Sequence, residues 1–297
     1  MHIGVHRRYG GCERGSDLTI SLNAPDHTTP MTDHVHPLPP PSTLAEEAFA
    51  ALKEKAQLAL QPMIVLGVLA GAYIGLGALF AMVALAGADA LTHGTAQVLA
   101  GLVFSLGLVL VIIAGAELFT GNMLFAGPVS TGALPFSQAA RALAIVYGAN
   151  LVGALLLAAL VLAAQVHTAG DGAVGRAALS LAEGKVGNSF ASMLASGVLA
   201  NMLVCLGVWL AIGGKSVTQK IAGLILPVAA FVAAGLEHSI ANMFILPYAW
   251  MVQAATSDNT ANLNLMVILG NLVPATLGNM IGGAAIALAY RYAYVKP

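Results

Sequence analysis

The chain has 297 residues, 58% hydrophobic and 8% charged, with a formal net charge of −1. Soluble domains carry about 25% charged residues, which excludes an ordinary water-soluble protein. Near-neutrality likewise excludes the basic excess that a nucleic-acid partner requires.

Twelve of the Lys, Arg, Asp and Glu residues lie in the first 60 positions, ahead of a charge-poor remainder. Residues 1–42 also hold six of the 13 prolines, including Pro37 and Pro39-Pro40-Pro41, and five histidines: His2, His6, His27, His34 and His36. That composition predicts a disordered tail. No apolar stretch of signal-peptide length follows Arg7 and Arg8, and Met31 offers a second start. Cys12 lies in this tail and Cys205 in an apolar run, so the pair gives no basis for a disulfide or metal framework.

Residues 43–61 change character. Thr43 and Glu46 have capping-box spacing. Leu44, Ala48, Leu52, Ala56 and Leu60 recur every four residues, with Glu47, Lys53, Glu54 and Lys55 off that stripe. The pattern predicts a short amphipathic helix ended by Pro62. It can lie on the membrane surface or pack on the protein's own cytoplasmic face.

Six runs long enough to cross a bilayer come next within residues 62–290, covering roughly 62–86, 97–126, 137–165, 188–213, 219–254 and 264–290, before a short tail over 291–297. Lys53, Lys55, Arg141, Lys215, Lys220, Arg291 and Lys296 fall on one side of these runs, and only Arg176 and Lys185 on the other. By the positive-inside rule both termini are cytoplasmic.

The halves repeat. Gly67-Val68-Leu69-Ala70 with Leu76-Gly77 in span one matches Gly197-Val198-Leu199-Ala200 with Leu206-Gly207 in span four. Ala114-Gly115-Ala116-Glu117 with Asn122-Met123 in span two matches Ala234-Gly235-Leu236-Glu237 with Asn242-Met243 in span five. Spans three and six share Asn150-Leu151-Val152 and Asn271-Leu272-Val273. Three spans per repeat is an odd number, so the second copy enters from the opposite face. The expectation is an all-α integral membrane protein with six transmembrane helices in a 3+3 inverted repeat.

Spans two and five are interrupted at midplane by Glu117-Leu118-Phe119-Thr120-Gly121-Asn122 and Glu237-His238-Ser239-Ile240-Ala241-Asn242. Ionisable groups at this depth cost at least a few kcal/mol and mark function by default. The glutamates occupy equivalent repeat positions, which favours caps on broken-helix amides. His238 has no counterpart, since Leu118 stands at the equivalent position, and this places it in the pathway. Helix N-termini, with Thr120, Ser239, Asn122 and Asn242 as neutral donors, suit a small monovalent anion that is protonated in transit. No zinc-protease motif and no nucleophile–base pair stands out, so no metal, cofactor or enzymatic role is expected.

Residues 43–290 resemble the formate/nitrite transporter family. The resemblance rests on Ala114-Gly115-Ala116-Glu117-Leu118-Phe119-Thr120-Gly121-Asn122, Ala200-Asn201-Met202-Leu203-Val204-Cys205-Leu206, Gly235-Leu236-Glu237-His238-Ser239-Ile240-Ala241-Asn242-Met243 and Gly278-Asn279-Met280-Ile281-Gly282-Gly283. It implies an aquaporin-like inverted-repeat fold, a homopentamer with one pore per protomer, and a place in a bacterial-type inner membrane. It also implies passage of formate, nitrite, hydrosulfide or related small monocarboxylates, with protons taking part.

By the same resemblance His238 is the central pore histidine and Thr120 its partner on the loop that breaks span two. Leu118, Phe119, Leu108 and Val204 form a cytoplasmic constriction, and Phe104 with Phe231 a periplasmic one. Lys185 attracts anions, and Asn201 and Asn279 line the path. Each has a plainer alternative. The apolar residues can be ordinary helix packing and the asparagines interhelical bonds, while Lys185 can be a membrane-edge residue. The first half has the look of the nitrite branch, and Asn242-Met243-Phe244-Ile245-Leu246-Pro247 that of the formate branch. An aquaporin-type neutral-solute channel would carry paired Asn-Pro-Ala half-helix starts, which are absent. A membrane enzyme or scaffold built on Glu237 and His238 is the remaining alternative.

Overall fold

The computed structural model describes residues 39–256 and 262–295; the expected tail up to residue 38, Cys12 and Lys296 lie outside them. The described residues are all-helical, with α1 (Pro41–Ala56), α2 (Leu60–Leu85), α3 (His93–Ile113), α4 (Phe119–Asn122), α5 (Ala126–Ser130), α6 (Phe136–Ala163), α7 (Ala173–Val186), α8 (Phe190–Gly213), α9 (Val217–Ala233), α10 (Ser239–Thr256) and α11 (Leu265–Tyr294). Five of these (α2, α3, α6, α8 and α11) are long and apolar enough to cross a membrane, and α9 is a shorter apolar helix. The chain is a multi-pass membrane protein.

The start of α1 differs from expectation. It begins at Pro41, with Pro40 at the N-cap and no side-chain cap, so Thr43 sits inside the first turn and makes no capping box. Proline needs no N–H partner in a first turn, which lets the helix start earlier. Pro62 does not end this helix either. α1 stops at Ala56, and Pro62 lies in the first turn of α2, where a missing N–H costs nothing. The buried face of α1 is Ala45, Ala48, Phe49, Leu52 and Ala56, and it packs on α5, α8 and α11. The Phe49 ring stands edge-on to Trp209, which stacks on Tyr290 at 4.2 Å.

The two halves pack alike. α2 packs on α6 as α8 packs on α11. A Cβ on Gly153 of α6 would overlap the Val68 carbonyl oxygen, and one on Gly282 of α11 would overlap that of Val198. Without a hydrophobic force between helices in lipid, such close backbone approach supplies the contact. This corrects the register read for the third span of each repeat. Asn150-x-x-Gly153 corresponds to Asn279-x-x-Gly282, and Asn271 has no counterpart. Gly153→Ala and Gly282→Ala are each expected to cost about 1–3 kcal/mol. Gly148→Ala on α6, where nothing lies within 4 Å of an added Cβ, is expected to cost nothing. Thermal unfolding midpoints in detergent check all three.

Both interruptions open in the same way. α3 ends at Ile113 and α9 at Ala233, followed by Gly115 at φ 76° and Gly235 at φ 68°. The amides of Ala116 and Leu236 reach back to the carbonyls of Val111 and Phe231 at 2.8 and 3.0 Å. This six-to-one bond is the Schellman closure, and it needs the left-handed conformation that glycine adopts freely. Beyond the closures the halves diverge. α10 continues for 18 residues, whereas the first half has α4, a 3-10 turn over Met123–Phe125, and the five-residue α5. The stretch between the repeats folds as α7, a helix that the apolar pattern does not predict.

Candidate functional site

Each interruption is closed by one asparagine from the neighbouring long helix. Asn150 Nδ2 donates to Gly67 O at 2.7 Å and Glu117 O at 2.9 Å, while its Oδ1 accepts from Phe119 N at 3.0 Å. Asn279 Nδ2 donates to Gly197 O at 2.8 Å and Glu237 O at 2.9 Å, while its Oδ1 accepts from Ser239 N at 2.8 Å. One side chain thus ties three backbone groups, satisfying amides and carbonyls that would otherwise be orphaned in an apolar interior. The sequence marks Asn150 only as part of a repeat match and gives no sign of this role.

The glutamates do not cap broken-helix amides. Glu117 Oε2 accepts from Asn122 Nδ2 at 2.9 Å, and Oε1 lies 3.1 Å from Lys55 Nζ at the end of α1. Glu237 Oε2 accepts from Asn242 Nδ2 and from Asn271 Nδ2 at 3.1 Å, and lies 3.4 Å from Lys185 Nζ. Asn122 and Asn242, expected as donors for a permeant, each give an amide N–H to these carboxylates, and Asn242 Nδ2 also donates to Asn271 Oδ1 at 2.7 Å. Asn271 also donates to the Lys185 carbonyl at 3.1 Å. Lys55 and Asn271 are thus site residues that sequence reasoning does not single out; the place of Lys55 in the last turn of α1 is the one signal available for the first.

His238 joins the two halves. Its Nδ1 accepts from Ala241 N at 3.1 Å, making it the N-cap of α10, and its Nε2 lies 2.9 Å from Thr120 Oγ1. A backbone N–H can only donate, so Nδ1 is unprotonated and the neutral ring carries its hydrogen on Nε2. That hydrogen points at the Thr120 oxygen and leaves the threonine hydroxyl proton unspent. Asn201 Nδ2 donates to Thr120 O at 3.1 Å and Asn279 O at 2.6 Å, linking the first interruption to α11. Thr120, Asn201, His238 and Asn279 form one buried cluster.

His238 and Asn242 line a cavity of about 850 Å³. Phe104, Phe231 and Lys185 share its lining, together with a stripe of α7. The Phe104 and Phe231 rings meet edge-on at 5.6 Å, and Phe231 lies nearly parallel to the imidazole at 5.5 Å. Leu108, Leu118, Phe119, Thr120, Val204, Asn201 and Asn279 are buried but do not line this cavity. Phe119 packs edge-on to Tyr147 at 4.8 Å. Among the described residues no group of three or more His, Cys, Asp or Glu side chains is arranged to hold a metal ion.

Apolar spans, a cavity reaching into them, and a neutral imidazole bridging two helix interruptions define a membrane transport protein. The family profile described as "Formate/nitrite transporter" matches residues 42–293. "Formate channel FocA" of Escherichia coli (strain K12) is 35% identical over 269 residues, covering 86% of this chain and 94% of that protein. "Probable formate transporter" of Methanothermobacter thermautotrophicus is 37% identical over 279 residues, covering 87% and 97%. The fold is similar to the solved "Pentameric formate channel with formate bound" (TM-score 0.72, 36% identity, 80% of this chain and 98% of that one). It is also similar to an "FNT family ion channel" (TM-score 0.75, 30% identity, 86% and 100%). The chain belongs to the formate/nitrite transporter family.

Proposed function

We propose that the protein is a homopentameric channel or transporter for small monovalent anions, formate and nitrite, with a proton exchanged at His238. The observation that carries this reading is the 2.9 Å contact between His238 Nε2 and Thr120 Oγ1, one residue from each interruption. It rests on six spans in a 3+3 inverted repeat, with spans two and five broken at midplane and both termini cytoplasmic. α3 and the segment to Ser130 then make span two, and α9 with α10 make span five.

The donor chemistry supports an anion. The Thr120 hydroxyl proton is unspent, and an anion oxygen beside it accepts that hydrogen while the Nε2 hydrogen backs up the threonine oxygen. Uptake of a further proton has one place to go, Nδ1, and the Ala241 N–H occupies it. Protonation of the ring is therefore coupled to loosening the first turn of α10. The imidazolium then gives its proton to the bound anion, and the neutral acid crosses the apolar constrictions. Phe104 and Phe231 make the one on the cavity side, and Leu108, Leu118, Phe119 and Val204 the one beyond His238. Asn201 and Asn279 hold the backbone around this point, and Glu237 with Lys185 fixes the start of α10. Formate and nitrite share charge, shape and size, and neutral donors do not separate them.

Purified protein in liposomes is expected to take up labelled formate and nitrite well above protein-free vesicles, and faster when the outer pH falls. Uptake indistinguishable from protein-free vesicles for both anions overturns the reading.

A further inference from the structure

The lining of the cavity contains two permanent cations, Lys185 and Arg176, and they are not equivalent. Lys185 is 8% exposed and its ammonium is paired with the buried Glu237 carboxylate at 3.4 Å. Seen from the cavity mouth that pair is neutral. Arg176 is exposed, and its guanidinium donates from Nη1 to the Asp171 carbonyl at 2.9 Å. Among the described side chains it has no carboxylate partner within 4.0 Å. Among the described lining residues none is Asp or Glu.

The placement is set by α7. Ala173, Arg176, Ala177, Ser180, Leu181, Gly184 and Lys185 line the cavity, a spacing of three and four that forms one stripe of the helix. Glu183 lies off that stripe. Arg176 and Lys185 are nine residues apart, about 14 Å along the axis. Between them the stripe carries mainly small side chains, which leave an open track from the guanidinium inward.

We infer that Arg176 is the residue that recruits the anion, holding the mouth of the cavity at positive potential, while Lys185 serves Glu237. This rests on the anion-transport reading for its consequence, but the potential itself is measurable without transport. A unit charge in water acting at about 6 Å changes local anion concentration about threefold, and charge reversal about tenfold. The effect fades as the screening length shrinks from about 30 Å at 0.01 M salt to about 3 Å at 1 M.

The test places a reporter thiol in the mouth, Ser180→Cys in a Cys12→Ser background, with Cys205 fully buried. The ratio of labelling rates for an anionic and an uncharged thiol reagent reads the potential. At 0.01 M ionic strength Arg176→Glu is expected to lower that ratio about tenfold and Arg176→Gln about threefold. Arg176→Lys keeps the ratio of the parent, and at 1 M salt all variants converge. A ratio unmoved by Arg176→Glu, or moved equally at all salt concentrations, overturns the assignment. Initial formate uptake from the cavity side is expected to follow the ratio. A lowered ratio with undiminished low-salt uptake overturns the recruiting role. Absence of any uptake by the parent protein overturns the transport reading instead, and the labelling ratio still decides the potential.

Discussion

Lys185→Met is expected to lower the stability of the protein by about 3 kcal/mol, the low end of the range for removing one partner of a buried ion pair. The two side chains are 10% and 2% exposed, so water does not replace the lost ammonium. The range is entered from below because Glu237 keeps Asn242 and Asn271 as donors. Adding Glu237→Leu is expected to recover most of the loss. Both asparagines then retain another acceptor, Asn242 on Asn271 Oδ1 at 2.7 Å and Asn271 on the Lys185 carbonyl at 3.1 Å. The equivalent pair in the first repeat behaves differently. Lys55 is 36% exposed and Glu117 4%, so the lost ammonium is one already partly in water, and Lys55→Met is expected to cost less than Lys185→Met. Unfolding midpoints in detergent measure all of these, and a double variant no more stable than Lys185→Met contradicts the account.

That difference separates what the two halves share from what they do not. The Schellman glycines, the glutamates and the bridging asparagines are held in both because each closes a helix end inside an apolar medium. The cations come from unrelated elements, α1 in one half and α7 in the other. Among the departures at the interruptions, His238 against Leu118 and Asn271 against Ala142 place polar groups in the second half, and Thr120 against Ile240 places one in the first. The half with the longer helix after its interruption thus carries the titratable group, and the half with the irregular segment carries Thr120.

The long apolar helices α2, α3, α6, α8 and α11 are legible in the sequence to within a few residues, because runs of apolar side chains are set by the bilayer alone. The ends of α3 and α9 ahead of Glu117 and Glu237 are equally readable, since glutamates and glycines are conspicuous where little else is polar. Side-chain partners are not. Asn150 and Asn271 head the same tripeptide, Asn-Leu-Val, and local identity points to the wrong register. The deciding contacts, Gly153 on Val68 and Gly282 on Val198, are tertiary and leave no mark in that tripeptide. The amphipathic character of α1 is plain from its spacing, but the choice between bilayer and protein as the cover of its apolar face depends on Phe49 reaching Trp209. α7 escapes notice because its stripe of alanine, serine and glycine is too weakly apolar to register as a helix face, and the role of Arg176 goes with it.

His238→Asn is expected to remove about two orders of magnitude of proton-coupled anion uptake while leaving the protein folded. A positioned acid–base side chain contributes about 10²–10⁴-fold to a step that moves a proton. Asparagine is a good N-cap, so it replaces the bond that Nδ1 now accepts from Ala241 N. It does not titrate, and its shorter side chain does not reach Thr120. His238→Phe loses both the cap and the Thr120 contact, so it is expected to lose the same uptake and some stability as well. The geometry sets the direction of the pH effect. The neutral ring is the form in place, with Nδ1 occupied, so lowering the pH drives the ring toward the cation and raises proton-coupled uptake in the parent protein. In both variants that rise is expected to disappear, leaving a pH profile parallel to protein-free vesicles. Nitrite and formate uptake measured side by side, from about pH 5.5 to 8 across the usual histidine range, distinguishes a proton donor from a neutral pore lining. If His238→Asn keeps the parent's pH dependence, the proton enters elsewhere and the His238–Thr120 pair only shapes the pore.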